Sequence, residues 1–302
     1  MSSSNPIDVN FHFEEVSHDV FRNDNLKSAG SQSKLAAYGG LVMTQATAAA
    51  ELTVPPHLAC HSVHGVFILP VNTLQPAEYH VSRLFDGRSF ASRHVNCMQN
   101  GKVAFSLLAS FHAKESDSIA HASPMPTVKG PEESEALDID KSYTLQFKRN
   151  SDFIEGSNTT KINREYPYDF YCPDPDNLFG RNEKPSLKQH FWIRYKYPLG
   201  SDDLLHRRAL LYMTDSGQSV AMFMPHARNK FELNLNFTIT HTVYMHTREV
   251  RADEWLLMEV ESTKAEGSRG FSRFSVWDRA GNLVSSGSQE AILRSRGSSS
   301  RL

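Results

Sequence analysis

The strongest constraint on the fold of this chain is an internal repeat. Three short groups of residues recur in the same order in both halves, and their spacing grows only from 170 to 177 to 180 residues. Loop-sized increments of this kind are typical of an ancient duplication, so the repeat predicts two similar domains. The matches pair Met43-Thr44-Gln45 with Met213-Thr214-Asp215, then His64, Val66 and Phe67 with His241, Val243 and Tyr244, and finally Gly87, Ser92, Arg93 and Gly101 with Gly267, Ser272, Arg273 and Gly281.

Both halves have the same predicted order of secondary structure. Each begins with an Ala- or Leu-rich segment that is apolar on nearly every face, which is typical of a helix buried against a sheet. Runs of alternating apolar and polar residues follow, separated by Gly-containing turns, and predict an antiparallel meander. The pattern therefore predicts an α+β protein in which each sheet wraps a central helix. The predicted helices are 38–52 and 204–224, and the predicted strands are 61–69, 79–84, 89–98, 103–111, 236–246, 255–262, 270–277 and 283–293.

Composition excludes several classes of function. The 302 residues are 39% hydrophobic and 22% charged, which suffices for two modest cores or one large one. The formal net charge of −2 gives no field that favours nucleic acid or an anionic membrane surface. No run of 18 apolar residues occurs, so no membrane-spanning helix is expected. The odd number of cysteines, without CxxC spacing, predicts buried and reduced thiols at Cys60, Cys97 and Cys172.

The segment between the two repeats predicts the domain boundaries. Residues 115–164 contain Pro124, Pro126, Pro131 and an acidic run from Glu132, and their apolar periodicity is poor. We therefore expect an N-terminal domain over 11–114, an interdomain connection over 115–164, a C-terminal domain over 165–297 and a flexible tail over 298–302.

Several motifs together resemble the acyl-CoA thioesterase II family over residues 11–295. The resemblance implies a double hot-dog fold, two tandem domains each with a central helix wrapped by an antiparallel β-sheet. It also implies hydrolysis of fatty acyl-CoA to free acid and CoA, with acyl-CoA as substrate and no cofactor. The motifs are Tyr38-Gly-Gly-Leu-Val-Met-Thr-Gln-Ala, His61-Ser-Val-His-Gly-Val-Phe, Asp86-Gly-Arg-Ser-Phe-Ala-Ser-Arg, Gln99-Asn-Gly-Lys, Tyr212-Met-Thr-Asp, Met224-Pro-His, Asp253-Glu-Trp-Leu-Leu, Val260-Glu-Ser-Thr, Ser268-Arg-Gly-Phe and Ser288-Gln-Glu-Ala.

The same resemblance implies three catalytic residues, Asp215, Thr238 and Gln289. In this reading the Asp215 carboxylate activates one water molecule, which the Thr238 hydroxyl and the Gln289 amide help to orient. Backbone N–H groups at the start of a central helix are candidate oxyanion donors. From the residues alone, without the family motifs, the favoured interpretation is that Asp215 caps a helix break and Gln289 is a solvated strand residue.

The chain departs from the family pattern at three motifs, one of which is the turn after the His-rich strand, Leu69-Pro70-Val71 in this sequence. It has Leu41 after Gly39-Gly40 where the family usually has Gln, and Thr240 before His241 where the family usually has Asp. We expect these changes to affect acyl specificity and packing, although Thr240 is predicted to share a strand face with Thr238. The altered motifs are the warrant for an alternative function, a catalytically silent acyl-CoA-binding or regulatory protein. A hot-dog hydratase is a further alternative, but the Asp-x-x-x-x-His pattern typical of that class is absent near Asp215.

The repeat predicts only one active site in the chain. By the offsets above, the N-terminal counterparts of Asp215, Thr238 and Gln289 are Gln45, His61 and Ala109. This half therefore lacks the carboxylate and the final amide. We expect it to form a wall of the active site and to pack as a partner against the C-terminal half.

Other candidate groups carry less weight. His61 and His64 are predicted to point to opposite faces of a strand, and no HExxH motif occurs, so no metal site is expected. The absence of GxSxG removes the anchor of a serine α/β-hydrolase mechanism. Arg83, Arg93, Arg207, Arg208 and Lys264 are candidate partners of the CoA phosphates, with solvated surface charge as the alternative.

The C-terminal tripeptide Ser300-Arg301-Leu302 is similar to the Ser-Lys-Leu peroxisomal address. It predicts a peroxisomal protein that binds the import receptor. Since exposed sheet edges must be paired or covered, we also expect a homo-oligomer, most simply a dimer.

Overall fold

The computed structural model of this chain describes residues 10–27, 35–116, 118–133, 166–178, 182–184, 186–229 and 233–295. The tail 298–302, with its targeting tripeptide, lies outside them.

The N-terminal half wraps a meander around one helix. Eleven of the 13 residues of that helix are buried. Its four alanines favour helix formation and leave a smooth surface that strands can approach closely. The elements are β1 (Glu14–Ser17), β2 (Val20–Asn23), α1 (Gly39–Glu51), β3 (Leu58–Phe67), β4 (Ala77–Asp86), β5 (Phe90–Gln99) and β6 (Lys102–Ala113).

The C-terminal half repeats this arrangement with a broken helix. Asp202 caps the first part, because its side chain accepts hydrogen bonds from the Leu204 and Leu205 amides. The elements are β7 (Tyr168–Tyr171), α2 (Pro175–Leu178), β8 (Lys188–Tyr195), α3 (Asp203–Thr214), α4 (Gln218–Phe223), a 3₁₀ helix (Met224–Asn229), β9 (Leu233–Met245), β10 (Leu256–Glu266), β11 (Arg269–Trp277) and β12 (Leu283–Ser295).

The two halves share one antiparallel sheet. Its strand order among the described residues is β1-β2-β4-β5-β6-β3-β9-β12-β11-β10-β8-β7, so the halves join where β3 pairs with β9. Ser62 faces Tyr244 and Val66 faces Thr240 at the two ends of this joint. The helices α1 and α3 lie side by side and antiparallel beneath it. The Gly40 amide at the start of α1 donates to Asp215 at the end of α3, and Glu51 at the end of α1 pairs with Arg208 in the middle of α3 at 2.8 Å. This architecture confirms the predicted α+β double hot-dog fold.

Matching irregularities in β3 and β9 support the duplication. The pairing of β3 with β6 skips His61, and the pairing of β9 with β12 skips Ile239, so each strand bulges by one residue. The flanking residues of the partner strands, Ser110 in β6 and Glu290 in β12, also correspond. Aligning the bulges matches 61 with 239, an offset of 178 rather than the 177 read from the sequence.

The structure corrects two further expectations and adds contacts for the expected connection. The predicted helix 204–224 is interrupted, because α3 ends at Thr214 and α4 begins at Gln218. The strands β1, β2, β7 and β8 were not predicted. Part of the expected connection packs on the C-terminal half, where Trp192 Nε1 donates to the Lys129 carbonyl at 2.8 Å and Trp277 Nε1 to the Ser123 carbonyl at 3.0 Å.

The domain boundaries stay predictions, and residues 134–165 of the expected connection lie outside the described ones. Cys60, Cys97 and Cys172 are buried free thiols, as expected. Among the helices that the structure describes, none is both long enough and apolar enough to cross a membrane.

Candidate active site

Asp215 lies where the helix of the C-terminal half is interrupted. It is the C-cap residue of α3, and Gly217 follows with φ +79°, a left-handed conformation that glycine adopts without strain. Its Oδ2 atom accepts a hydrogen bond from the Gly40 amide at 2.9 Å, and Oδ1 accepts one from Gln289 Nε2 at 2.6 Å. Residues of both halves therefore hold this carboxylate.

Gly40 is required for the close approach of the two helices. A Cβ atom at this position would lie 2.4 Å from the Tyr212 carbonyl oxygen and 2.7 Å from Tyr38 Cε1. The Gly40 amide belongs to the first turn of α1, where N–H groups have no partner within the helix and the helix dipole favours an anion. The Asp215 carboxylate supplies both the hydrogen-bond acceptor and the negative charge.

Burial raises the pKa of the Asp215 carboxyl toward neutrality. Loss of hydration raises the pKa of its carboxyl from 3.8 to about 6, and the hydrogen bonds from Gly40 and Gln289 limit the rise because they favour the ionised form. A carboxylate with this pKa is ionised at pH 7 and still accepts a proton readily.

Gln289 is placed by the inner face of β12. It is only 1% exposed, and its cross-strand neighbour is His241, which is also 1% exposed. His241 Nε2 lies 3.1 Å from the Thr214 hydroxyl, next to Asp215 in the chain. Burial lowers the pKa of His241 to about 3, so the imidazole is neutral. His241 therefore packs beside the site as a neutral hydrogen-bonding group.

Thr238 lies on the inner face of β9, two strand positions along from Gln289. Its cross-strand partner is Ala291, which shares a face with Gln289 because the two are two residues apart. No hydrogen bond joins Thr238 to Asp215 or Gln289 among the contacts of the described residues. The structure thus brings Asp215 and Gln289 into contact and places Thr238 on the same face without a bond to either.

The bulge at Ile239 also corrects the expected position of Thr240. Thr240 pairs with Glu290 in β12 and with Val66 in β3, and Val66 is 44% exposed. The one-residue bulge reverses the alternation, so Thr240 faces outward while Thr238 faces inward. The two threonines do not share a strand face.

The position that corresponds to Asp215 in the N-terminal half is filled by a buried, fully hydrogen-bonded side chain. Gln45 is fully buried; its Nε2 donates to the carbonyls of Asn10 at 2.9 Å and Asn25 at 3.2 Å, and its Oε1 accepts from the Tyr79 hydroxyl at 2.6 Å. Aligned on the bulges, the counterpart of Thr238 is Cys60, which faces Phe111 as Thr238 faces Ala291. The sequence-based assignment of His61 as that counterpart is therefore wrong by one residue.

The predicted separation of His61 and His64 is also wrong. His61 Nε2 lies 2.9 Å from the Ser110 hydroxyl, and His64 Nδ1 lies 3.4 Å from the Thr242 hydroxyl. Ser110 lies between two inward-facing, buried residues of β6, and Thr242 lies between two of β9, so both partners face outward. The bulge at His61 thus turns both imidazoles to the outer face of the sheet. Across the described residues, no group of three His, Cys, Asp or Glu side chains has the arrangement of a metal site.

Most of the candidate phosphate-binding cations already have partners. Arg93 is 0% exposed and bonds to Thr53, Asp86 and nearby carbonyls, so it is structural rather than a solvated surface charge. The remaining ion pairs join Arg83 to Asp19, Arg208 to Glu51 and Lys264 to Glu266.

Two features of the site were missed in the sequence. The Gly40 amide is a backbone group, and only the Gly39-Gly40 pair beside a helix start hinted at it. The hydroxyls of Tyr38, Tyr168 and Ser216 meet beside Asp215, although Tyr38 and Tyr168 are 130 positions apart. Tyr38 stood within a recognised motif, while Tyr168 and Ser216 carried no signal of their own.

The comparisons with known proteins agree with this architecture. Residues 28–112 match the acyl-CoA thioesterase N-terminal domain family, and residues 144–293 match the acyl-CoA thioesterase C-terminal domain family. Acyl-coenzyme A thioesterase 8 of Rattus norvegicus is 32% identical over 291 residues, covering 94% of this chain and 88% of that protein.

A solved structure and a more distant relative extend the comparison. The crystal structure of the acyl-CoA thioesterase II TesB2 from Mycobacterium marinum is similar with a TM-score of 0.76 and 27% identity, covering 96% of this chain and 99% of that one. The peroxisomal acyl-coenzyme A thioester hydrolase 1 of Saccharomyces cerevisiae is 22% identical over 298 residues, covering 85% of each chain.

The fold and the two matched domain families define a double hot-dog enzyme of the thioester hydrolase class. The chain belongs to the acyl-CoA thioesterase II family.

Proposed function

We propose that this protein hydrolyses fatty acyl-CoA to free fatty acid and CoA, using a water molecule activated by Asp215 with Thr238 and Gln289. Family membership supports the reaction class. The observation that carries the residue assignment is the Asp215 carboxylate, which Gly40 of one half and Gln289 of the other hold at 2.9 and 2.6 Å. Its pKa of about 6 suits proton abstraction from water near pH 7.

The proposed reaction has two steps. Asp215 takes a proton from the attacking water while the water oxygen bonds to the thioester carbonyl carbon, which gives a tetrahedral oxyanion. The Gly40 N–H already binds Asp215, so the N–H group of Gly39, the first residue of α1, is the candidate donor to that oxyanion. The oxyanion then re-forms the carbonyl as the C–S bond breaks, and the CoA sulfur leaves with the electron pair. The sulfur takes the proton from Asp215, which restores the carboxylate, and the fatty acid remains. Gln289 and the Thr238 hydroxyl orient the water.

The alternative of a silent acyl-CoA-binding protein has weaker support. Its warrant was the change of two family motifs, at Leu41 and at Thr240. Leu41 is 0% exposed within the hydrophobic core, and Thr240 faces away from Asp215. Both changes therefore leave the contacts of the Asp215 carboxylate intact.

Steady-state kinetics of Asp215→Asn with a long-chain acyl-CoA test the proposed mechanism. The substitution keeps the shape and removes the basic oxygen, so kcat should fall ~10²–10⁴-fold, which is about 2.7 to 5.4 kcal/mol of barrier. KM should move far less, and Thr238→Ala should cost less than Asp215→Asn. In the unmodified protein, kcat/KM should fall as the pH drops through about 6, because protonated Asp215 cannot accept a proton. Near-full kcat in folded Asp215→Asn would exclude Asp215 as the base.

We also propose a peroxisomal location and binding of the import receptor through Ser300-Arg301-Leu302. The support is the tripeptide itself and the name of the distant S. cerevisiae relative. A reporter that carries residues 296–302 should enter peroxisomes, and the same reporter without Leu302 should stay in the cytosol. Cytosolic full-length protein with a free C-terminus would contradict this location.

Association into a dimer is the remaining proposal about partners. The sheet ends at β1 and β7, which have four residues each and offer short edges. The outer face instead exposes Val66, Phe90, Leu108 and Tyr244, each by more than 40%. We expect a second copy of the protein to cover this apolar surface. A measurement of the molecular mass in solution tests this, and the mass of a dimer is expected.

A further inference from the structure

Three hydroxyl groups form a chain beside Asp215. The Tyr168 oxygen lies 2.5 Å from Ser216 Oγ, and Ser216 Oγ lies 2.8 Å from the Tyr38 oxygen. Tyr38 then donates to the Tyr212 carbonyl at 3.1 Å. The three residues come from β7, from the turn after α3, and from the residue that precedes α1.

The acceptor at one end fixes the direction of the chain. The Tyr212 carbonyl can only accept, so the Tyr38 proton points toward it. Ser216 must then donate to the Tyr38 oxygen, and Tyr168 must donate to Ser216. All the protons point the same way, an arrangement in which successive hydrogen bonds strengthen one another.

The three hydrogen-bonded hydroxyl groups lie next to the contact between Gly40 and Asp215. Tyr38 is two residues before Gly40, while Tyr212 and Ser216 lie on either side of Asp215 in sequence. The bonds of Tyr38 therefore tie the start of α1 to the turn that bears the carboxylate. Ring packing supports the same contact, since the Tyr38 and Tyr212 rings are 4.9 Å apart and the Tyr168 and Tyr212 rings 5.9 Å apart.

We propose that the hydroxyl chain of Tyr168, Ser216 and Tyr38 positions Asp215 against the Gly40 amide, which makes Tyr38 and Tyr168 positioning residues for the hydrolysis. The inference rests on the proposed role of Asp215 as base and adds residues that never touch the reacting atoms. Its chemical consequence is specific. A bond from Gly40 favours the ionised carboxylate, so any loosening of that contact should raise the pKa of Asp215.

The groups that face Asp215 carry no competing charge near neutral pH. Tyr38 faces it from the position before α1 and Tyr212 faces it from α3, and burial raises the pKa of both phenols. Gln289 faces it from β12, and His241 of β9 contacts its neighbour Thr214 as a neutral imidazole. A change in the pH dependence of turnover therefore reports on the hydrogen bonds of the carboxylate.

The test compares Tyr38→Phe and Tyr168→Phe with the unmodified protein over a range of pH. Tyr38→Phe should lower kcat about 10-fold, because small displacements of a catalytic group are costly, and should change KM little. The acid limb of kcat/KM should move to higher pH by about half a unit to one unit. Tyr168→Phe should shift the limb in the same direction by less, since its hydroxyl is the far end of the chain.

Tyr79→Phe is the matched control. Tyr79 is as deeply buried, and its hydroxyl donates to Gln45 at 2.6 Å in the closed N-terminal counterpart of the site. It should lose a similar amount of thermal stability while keeping the acid limb in place. If Tyr38→Phe does not fold, Tyr168→Phe and Ser216→Ala supply the same readout.

Two outcomes separate this inference from the proposed function. Loss of activity in Asp215→Asn, with unshifted acid limbs in both tyrosine variants, would overturn the positioning role alone. Full activity in Asp215→Asn would overturn the role of Asp215 itself. A limb shift in Tyr79→Phe equal to that in Tyr38→Phe would mean that the shift reflects general loosening, and would also reject the positioning role.

Discussion

At the scale of single residues, the two halves differ chemically at one pair of corresponding positions. Asp215 and Gln45 occupy corresponding helix positions, but the carboxylate has two acceptor oxygens and the amide only one. Asp215 uses both oxygens to accept hydrogen bonds, from Gly40 and Gln289. Gln45 donates to two carbonyls and accepts from Tyr79, which satisfies it and leaves no base. The duplicated position thus became a structural link in one half and a charged site in the other.

A pair of amide substitutions tests this division. Gln289→Ala should lower kcat roughly 10- to 100-fold, because the freed carboxylate loses its orientation. Gln45→Ala should leave kcat nearly unchanged and should reduce the free energy of unfolding by about 1–3 kcal/mol, since it strands buried carbonyls without donors. Activity assays and thermal melts on the same preparations separate the two effects. Comparable losses of kcat in both variants would place the N-terminal half in the chemistry.

The sequence predicted part of this site and missed the rest for a physical reason. Asp215 and Gln289 were found because each has a distinctive side chain within a family motif. The Gly40 amide could not be found in that way, since every residue except proline carries an N–H group. Tyr168 was missed because its contact with Ser216 depends on how an edge strand packs.

At the scale of elements, the bulges explain why strand faces were misassigned. A period of two assigns faces correctly only until one residue is added, after which every later side chain changes face. His61 and Ile239 carry no sequence signal of a bulge, as glycine sometimes does. The error placed Thr240 on the wrong face and predicted opposite faces for His61 and His64. The counterpart of Thr238 was misassigned for a different reason, since the matched motifs give an offset of 177 and the bulges give 178. The long helix 38–52 and the eight long strands were predicted closely, because each buries a continuous periodic face.

Most of the elements that were missed are short or interrupted, and the exception is β8, which has eight residues. The strands β1, β2 and β7 have four residues each, too few for alternation to stand out. The sequence predicts one continuous helix over 204–224, but the helix is broken next to Gly217, which has φ +79°. That break is the element that turns Asp215 toward Gly40, so the departure from regular structure coincides with the candidate site.

At the scale of the whole molecule, the site exists only because the two halves are joined. The β3–β9 pairing places α1 against α3 in antiparallel orientation, and this brings the start of one helix to the end of the other. Neither half alone contains both the Gly40 donor and the Asp215 acceptor. The same junction buries a carboxylate, which costs stability.

That cost can be measured through the pH dependence of unfolding. The pKa of Asp215 is about 6 in the folded protein against 3.8 for the ordinary group. The folded state therefore binds the proton more tightly, and stability falls as the pH rises from about 3.8 to about 6. Above this window the penalty is on the order of 3 kcal/mol. Asp215→Asn removes it, and rotation of the Gln289 amide lets the new side chain find a hydrogen-bond partner.

We therefore expect Asp215→Asn to unfold at a higher temperature than the unmodified protein at pH 8, with the difference vanishing near pH 4. Asp19→Asn is the control of opposite sign, because the hydrogen bond from Arg83 lowers the pKa of Asp19. Its φ of +57° is a conformation that Asn also adopts readily. Asp19→Asn should be less stable at neutral pH, with a deficit that shrinks on acidification. An Asp215→Asn protein that melts below the unmodified one at pH 8 would mean that the ionised carboxylate stabilises the junction, and that its burial is compensated within the fold.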